Sequence, residues 1–430
     1  MTLNQKSNSR RDFFRKCTAL LVVSGNEITG LNGKSFLFRD KITSSKRIEI
    51  LEKELVFVSD QPGDRSFRPV PRDFIHSQFP PIPEVPETIP VEYSWKTETC
   101  ALFKERSLNG FGAINDGIYA EGEHLLQIVA TTPGAPDTQA GSPLYKCWYR
   151  ISADAGKTFS PFRLIMQAGN SKDEPVKGVR IGRNGYTIPL TSAFIKSSNG
   201  EIMVPVHLHP WDSEKQTIYN PANAYLFGDS GVLIGKWINN KQDIRWEFGE
   251  WARIDHKLST RGLFEPSIAE LSSGRFAMIM RGSNYTNSDL PGYSWVSYST
   301  DYCRTWSAPK PFTYADGSNF YTPASCSTLF RSVHNGILYW VGNITGKNPN
   351  GNHPRHPLVI GRVDEKNFGL IKDTVVTIDQ RHPEKENERV ELSNYKIMEH
   401  SRSAEIVIAL TRRVDGVWAH APSWYRIKLA

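Results

Sequence analysis

Several of the chain's polar groups sit at the ends of apolar runs, where their types and spacing suit work on an acidic, ring-shaped molecule. The run Phe276-Ala-Met-Ile-Met280 ends on Arg281. A guanidinium there is costly to bury unless it grips a carboxylate through its fork of N–H donors, or pairs with a nearby carboxylate such as Glu265 and stitches two loops together. A second run, Ile202 to Val206, leads into His207-Leu-His209-Pro-Trp211. In an extended strand His207 and His209 share one face. With the Trp211 indole they would make a stacking platform for a sugar ring with an imidazole base beside it; the alternative is a pair of hydrogen-bonded core histidines. His353 and His356 flank Arg355 and titrate near neutral pH when solvated, which suits an acid or base as well as a surface group. Arg180 and Arg183 add guanidinium groups on a Gly-rich loop, where exposure to solvent is the other reading. Two histidines with no acidic partner nearby make no case for a metal, and no cofactor is expected.

The elements that must position these groups are strands. A polar turn containing Gly, followed by a short apolar strand, recurs at Glu121–Ala130, Asn199–Val206, Ser273–Met280 and Asn335–Val341, and Ser403–Leu410 keeps the strand without the Gly. Continuous apolar strands bounded by turns suit positions buried on both faces. High aromatic content (Trp 11, Tyr 16, Phe 21), with Gly 32 and Pro 27, agrees with an all-β, turn-rich chain. The spacing exceeds a propeller repeat of ~40–50 residues, so long loops are expected, and these are where a site is built. A second motif repeats as well: Ser152-Ala-Asp154-Ala-Gly156-Lys-Thr158-Phe159, and Ser299-Thr-Asp301-Tyr-Cys303-Arg-Thr305-Trp306 with Cys in the Gly position. Its chemistry is that of a hairpin, with Asp accepting backbone N–H bonds, Gly permitting a positive φ, and an aromatic packing between sheets.

This Ser-x-Asp-x-Gly-x-Thr-aromatic motif resembles the Asp-box (BNR repeat) of the sialidase, or neuraminidase, superfamily. The resemblance implies a six-bladed β-propeller. About five blades are evident as strand-and-turn units, and the sixth is expected from residues before 110. It also implies that the Asp-box aspartates are structural and lie away from the active site. The segment Arg261-Gly-Leu-Phe-Glu265 to Arg281 resembles the one that supplies a glutamate assisting the nucleophile and an arginine gripping the substrate carboxylate, so Glu265 and Arg281 take those roles. Arg355, ahead of the strand that follows Pro357, matches another arginine of the sialidase triad. The acid catalyst is expected at the exit of the first apolar strand, where Asp137 stands; a plain Pro-Asp turn is the other reading, and Asp116 in Asn115-Asp116-Gly117 reads as a turn. Two positions depart from the family pattern. The stretch Gly110–Gly117 has no arginine where the first blade of a sialidase begins with one. Leu392 stands in the place of the nucleophilic tyrosine, and the candidate nucleophile is then Tyr395, three residues on.

Charge and composition narrow the partners. The net charge is +7, but residues 1–50 carry ten Lys or Arg against four Asp or Glu, which leaves the remainder nearly neutral. A nucleic-acid partner would need a concentrated basic face and is not expected. Ser9-Arg10-Arg11-Asp12-Phe13-Phe14-Arg15-Lys16, followed by the apolar run Cys17 to Val23, reads as a twin-arginine-type export signal over 1–30, too short to span a bilayer. A periplasmic or extracellular location follows from that reading. Residues 31–94 form an extension with a Pro-rich approach, Phe79 to Pro86 at its centre, and 95–430 the propeller. Five widely spaced cysteines are expected to be buried thiols, with one disulfide open.

Three functions fit these residues. The first is an exo-acting sialidase-type glycosidase releasing a terminal sialic or uronic acid from a glycan or oligosaccharide. The second is a polysaccharide lyase on uronate-containing glycans, and the third a non-catalytic carbohydrate-binding propeller.

Overall fold

The computed structural model describes residues 48–55, 74–76, 112–132 and 144–429, apart from 155, 157, 190, 192, 401–404, 411, 416 and 419–422. All regular structure in these residues is β except one 3-10 turn, Lys372–Thr374. No helix among them is long and apolar enough to cross a membrane.

Five antiparallel sheets of four or five strands follow one another along the chain in a propeller arrangement. Each recurring apolar segment became the central strand of one sheet: His124–Thr132, Ile202–Leu208, Phe276–Arg281, Leu338–Asn343 and Glu405–Leu410. These strands are mostly apolar because each has a hydrogen-bonded strand on both sides; all seven residues of Ile202–Leu208 are buried. The expectation of six blades is corrected to five among the described residues. The strands found before residue 110 do not build a further sheet. Ile48–Leu55 pairs with Ser423–Leu429, and Phe74–His76 pairs with Tyr395–His400, so both complete the fifth blade.

Hydrophobic clusters lie between consecutive blades. Leu126 and Ile128 of the first meet Val204 and Leu233 of the second. Met203 and Ile234 of the second meet Ile268 and Met278 of the third. Ile279 and Val296 of the third meet Leu329 and Trp340 of the fourth, and Tyr339 and Ile360 of the fourth meet Ile397 and Ile408 of the fifth. The core is therefore spread as a series of wedges between sheets.

Both Asp-boxes adopt the expected hairpin. Asp154 accepts from the Thr158 N–H (2.9 Å) and hydroxyl (2.6 Å), and Asp301 accepts from the Thr305 N–H and hydroxyl at the same distances. Cys303 takes the left-handed φ of 66° that Gly156 holds at 87° in the other box. The Asn115-Asp116-Gly117 turn is corrected: these residues lie within the Gly112–Glu121 strand, where Asp116 pairs with Val129. Gly117 serves packing there, since a Cβ would fall 2.4 Å from the Phe194 ring.

Candidate functional site

In the third blade the Phe264–Glu270 strand runs antiparallel to Phe276–Arg281, with Phe264 opposite Arg281 and Ser267 opposite Ile279. Glu265 and Pro266 therefore face the single residue Met280, a bulge that re-aims a side chain at the end of a sheet. Glu265 adopts a φ of 47°, a conformation that a non-Gly residue holds only when its surroundings impose it. The bulge delivers its carboxylate to Arg281, with Oε2 2.8 Å from Nη1. The second Arg281 nitrogen, Nη2, donates to Asn352 Oδ1 at 3.1 Å.

Burial alone would raise the Glu265 pKa, but the charge and hydrogen bond of Arg281, with His207 nearby, bring it down to about 2. Arg281 is held charged in return: burial opposes its cation, and Glu265 more than offsets that. The Cys326 thiol lies within hydrogen-bond reach of Glu265 and 3.5 Å from Asn394 Oδ1. Burial and the neighbouring carboxylate push that thiol well above its ordinary range, so it stays protonated.

Arg355 lies on the loop that leaves the central strand of the fourth blade. Its Nη1 donates to Glu391 at 2.9 Å and Ser393 Oγ at 3.3 Å, its Nη2 to the Ala324 carbonyl at 3.0 Å, and its Nε to the Asn352 carbonyl at 3.2 Å. Asn352 thus links the two arginines, its side chain on Arg281 and its carbonyl on Arg355. Glu391 is shared with Arg413 at 3.1 Å.

His207 leaves the central strand of the second blade and lies within electrostatic reach of Glu265, Arg281 and Arg261. His207 and His209 pack edge-on, 5.8 Å apart, and both lie against the Phe264 ring. Burial brings the imidazoles to about 3 and about 4, so both are neutral at ordinary pH. His209 Nδ1 sits 3.1 Å from the Phe227 carbonyl, whereas His207 Nδ1 is buried with no hydrogen-bond partner among the described residues.

The structure thus brings Glu265, Arg281, Arg355 and His207 into one cluster at the exits of three central strands. The Asp-boxes lie at the other end of the sheet. Ser299 pairs with Phe276, five residues from Arg281, or about 17 Å at ~3.4 Å per residue.

Other expected residues fall elsewhere. Trp211 begins a separate two-stranded ribbon with Thr217–Ile218, where the Arg183 guanidinium lies 5.8 Å from its ring; Arg180 and Arg183 are exposed. His356 Nε2 lies 3.5 Å from Glu388, and burial lowers the pKa of both His353 and His356. Tyr395 is fully buried in the wedge between the fourth and fifth blades, and its hydroxyl donates to the Val341 carbonyl at 2.7 Å. Its assignment as nucleophile is therefore corrected: the oxygen is committed to the scaffold, and burial raises its pKa. Leu392 is buried in the same wedge. Asp137 lies outside the described residues.

Sequence reasoning passed over Arg261 except as the first residue of its segment, and Cys326 except as one of the buried thiols. Arg261 is buried between the Tyr225 and Phe264 rings, at 5.7 and 5.1 Å from its guanidinium carbon. Gly262 fixes it there: at φ +72° a Cβ would fall 2.2 Å from the Gly228 carbonyl, so only glycine fits. The Arg-Gly pair just before the bulge was the signal available for it. Cys147, Cys303 and Cys326 are free and buried.

Among the described residues, Arg261, Arg281, Arg355 and Arg413 face Glu265 and Glu391 here. The cluster carries a positive surplus that suits an anionic ligand.

No curated protein matches the sequence significantly. Among solved structures, the chain is similar to the sialidase of Trypanosoma rangeli, at 12% identity and a TM-score of 0.45, over 74% of this chain and 45% of that one. A Hadza microbial sialidase aligns at 12% identity and a TM-score of 0.46, over 75% and 54%. The intramolecular trans-sialidase of Ruminococcus gnavus aligns at 12% identity and 0.46, over 74% and 78%. The chain thus spans about half the length of the first two. The family model of the BNR repeat-like domain matches residues 92–393, well over half of the sequence, and the chain belongs to that family of sialidase-like β-propellers.

Proposed function

We propose that the protein is an exo-acting glycoside hydrolase of sialidase type that releases a terminal acidic sugar, a sialic or uronic acid, from a glycan. The observation that carries this reading is the buried Glu265–Arg281 pair set among further arginines. The positive surplus would bind the sugar carboxylate, and an ionised Glu265 would accept a proton from the attacking group. With Leu392 and Tyr395 both packed in the interior, that attacking group is water activated by Glu265, instead of a tyrosine. The sialidases among the similar structures support a carbohydrate substrate in general terms. The commitment of the Tyr395 hydroxyl to the Val341 carbonyl favours a second reading, a propeller that binds acidic sugars without turnover.

Incubation with a panel of sialylated and uronate-containing glycans separates the readings. Hydrolysis releases the free sugar acid with no new ultraviolet chromophore, elimination leaves an unsaturated product absorbing in the near ultraviolet, and binding without any product leaves only the second reading.

A further inference from the structure

Arg261, Arg281 and Arg355 differ in what holds them. Arg355 has every guanidinium nitrogen bonded to protein, to Asn352, Glu391, Ser393 and Ala324. Arg281 is divided between Glu265 and Asn352. Arg261 is as deeply placed, 9% exposed, yet among the described residues it makes no ion pair. Among the described residues its single hydrogen bond runs from Nε to the Leu226 carbonyl at 3.4 Å, and none of them accepts from its terminal nitrogens.

A buried cation without a counter-charge is destabilising, and the chain would be expected to let such a side chain swing out to water. The backbone that carries it is itself pinned. The Gly228 N–H donates to the Arg261 carbonyl at 3.0 Å, the Leu263 N–H donates to the Gly228 carbonyl at 2.7 Å, and Gly262 closes onto that same carbonyl. Burial, with the like charge of Arg281 next to it, lowers the pKa of the Arg261 guanidinium to about 9, the direction expected of a cation lacking an anion. A second buried polar atom lacks a partner among the described residues: His207 Nδ1, on a ring packed against the same Phe264 that Arg261 overlies. Tyr225, on the other side of Arg261, is 57% exposed.

We propose that Arg261, not Arg355, receives the carboxylate of the acidic sugar together with Arg281, and that Arg355 is a positioning residue that holds Asn352 against Arg281. The ligand class is a sugar acid whose carboxylate reaches the terminal nitrogens of Arg261 over Phe264 while its ring lies against Tyr225. This rests on the acidic-sugar reading given under the proposed function.

The test is the melting temperature of the full chain with N-acetylneuraminate or glucuronate at millimolar concentration and glucose as the neutral control, in wild type, Arg261→Met, Arg261→Lys and Arg355→Met. Either acid should raise the wild-type melting temperature and glucose should not. Arg261→Met should melt at or above wild type without ligand, because the unpaired buried charge is gone, and bind the acids at least about tenfold more weakly. Arg355→Met should melt well below wild type. If Arg261→Met melts lower, Arg261→Lys decides, because it keeps the charge and loses the fork; it should melt near wild type and bind more weakly. Wild-type affinity in a folded Arg261 variant overturns the assignment and leaves the acidic-sugar reading standing. Protection of the wild type by neither acid removes both.

Discussion

Glu265 and Arg281 meet at 2.8 Å because a bulge opposite Met280 turns Glu265 into the left-handed region, bringing a carboxylate from one strand over the guanidinium that ends the next. Regular pairing would have alternated these side chains past each other. Removing one member of a buried pair leaves the other uncompensated, so Glu265→Ala should lose about 3 kcal/mol of stability, measured by urea denaturation. Glu265→Gln, which keeps the shape, should fold and lose about 10²-fold or more in turnover.

The pH dependence of that pair has a definite sign. Glu265 is depressed to about 2, so its stabilisation is complete above the unfolded carboxylate range near 4.5 and is lost as pH falls toward 2. Acid titration of stability should show this loss in wild type and not in Glu265→Gln.

His207 and His209 act in a higher window. Their folded values, about 3 and about 4, lie below the ordinary 6.5, so the unfolded chain takes up protons first. Stability should be full above pH 6.5 and decline as pH drops below it, by roughly 2 kcal/mol per imidazole between pH 7 and 5. Substituting both with Gln should flatten that slope in denaturant melts at the two pH values.

Tyr395→Phe tests the scaffold role of the hydroxyl. The bond to the Val341 carbonyl is removed, so about 1 kcal/mol of stability should go while kcat stays at the wild-type value. Complete loss of turnover in a folded Tyr395→Phe would return the residue to the chemistry.

The Asp-boxes should separate stability from activity. Asp301 accepts both the N–H and the hydroxyl of Thr305 at the far end of the blade, so Asp301→Ala should cost about 1–2 kcal/mol in thermal unfolding and leave kcat/KM unchanged.

The strands were legible because a central strand with neighbours on both sides is mostly apolar, and the five such runs, from His124–Thr132 to Glu405–Leu410, each became one blade. The blade count was not, because an edge strand such as Ile48–Leu55 has no signature of which sheet it will join; its pairing with Ser423–Leu429 is set by contacts nearly four hundred residues apart. Glu265 and Arg281 were legible by resemblance and by the oddity of an Arg at the end of an apolar strand. Arg261 was not, because nothing in Thr260-Arg261-Gly262 tells that Gly228 will close over it. Nor was the packing of Tyr395, since a three-residue displacement from the expected tyrosine carries no record of burial. Trp211 shared a run with His207 and His209, yet Pro210 intervenes and the indole begins a separate ribbon.

The central question is whether the Glu265–Arg281 cluster processes an acidic sugar. The most direct measurement is chromatographic quantification of free sugar acid released from sialylated and uronate-capped oligosaccharides by wild type and Glu265→Gln side by side. The wild type should release it, and the variant at least about a hundredfold less. Equal release by the two proteins, or none by the wild type from any acidic glycan, would contradict the proposed function.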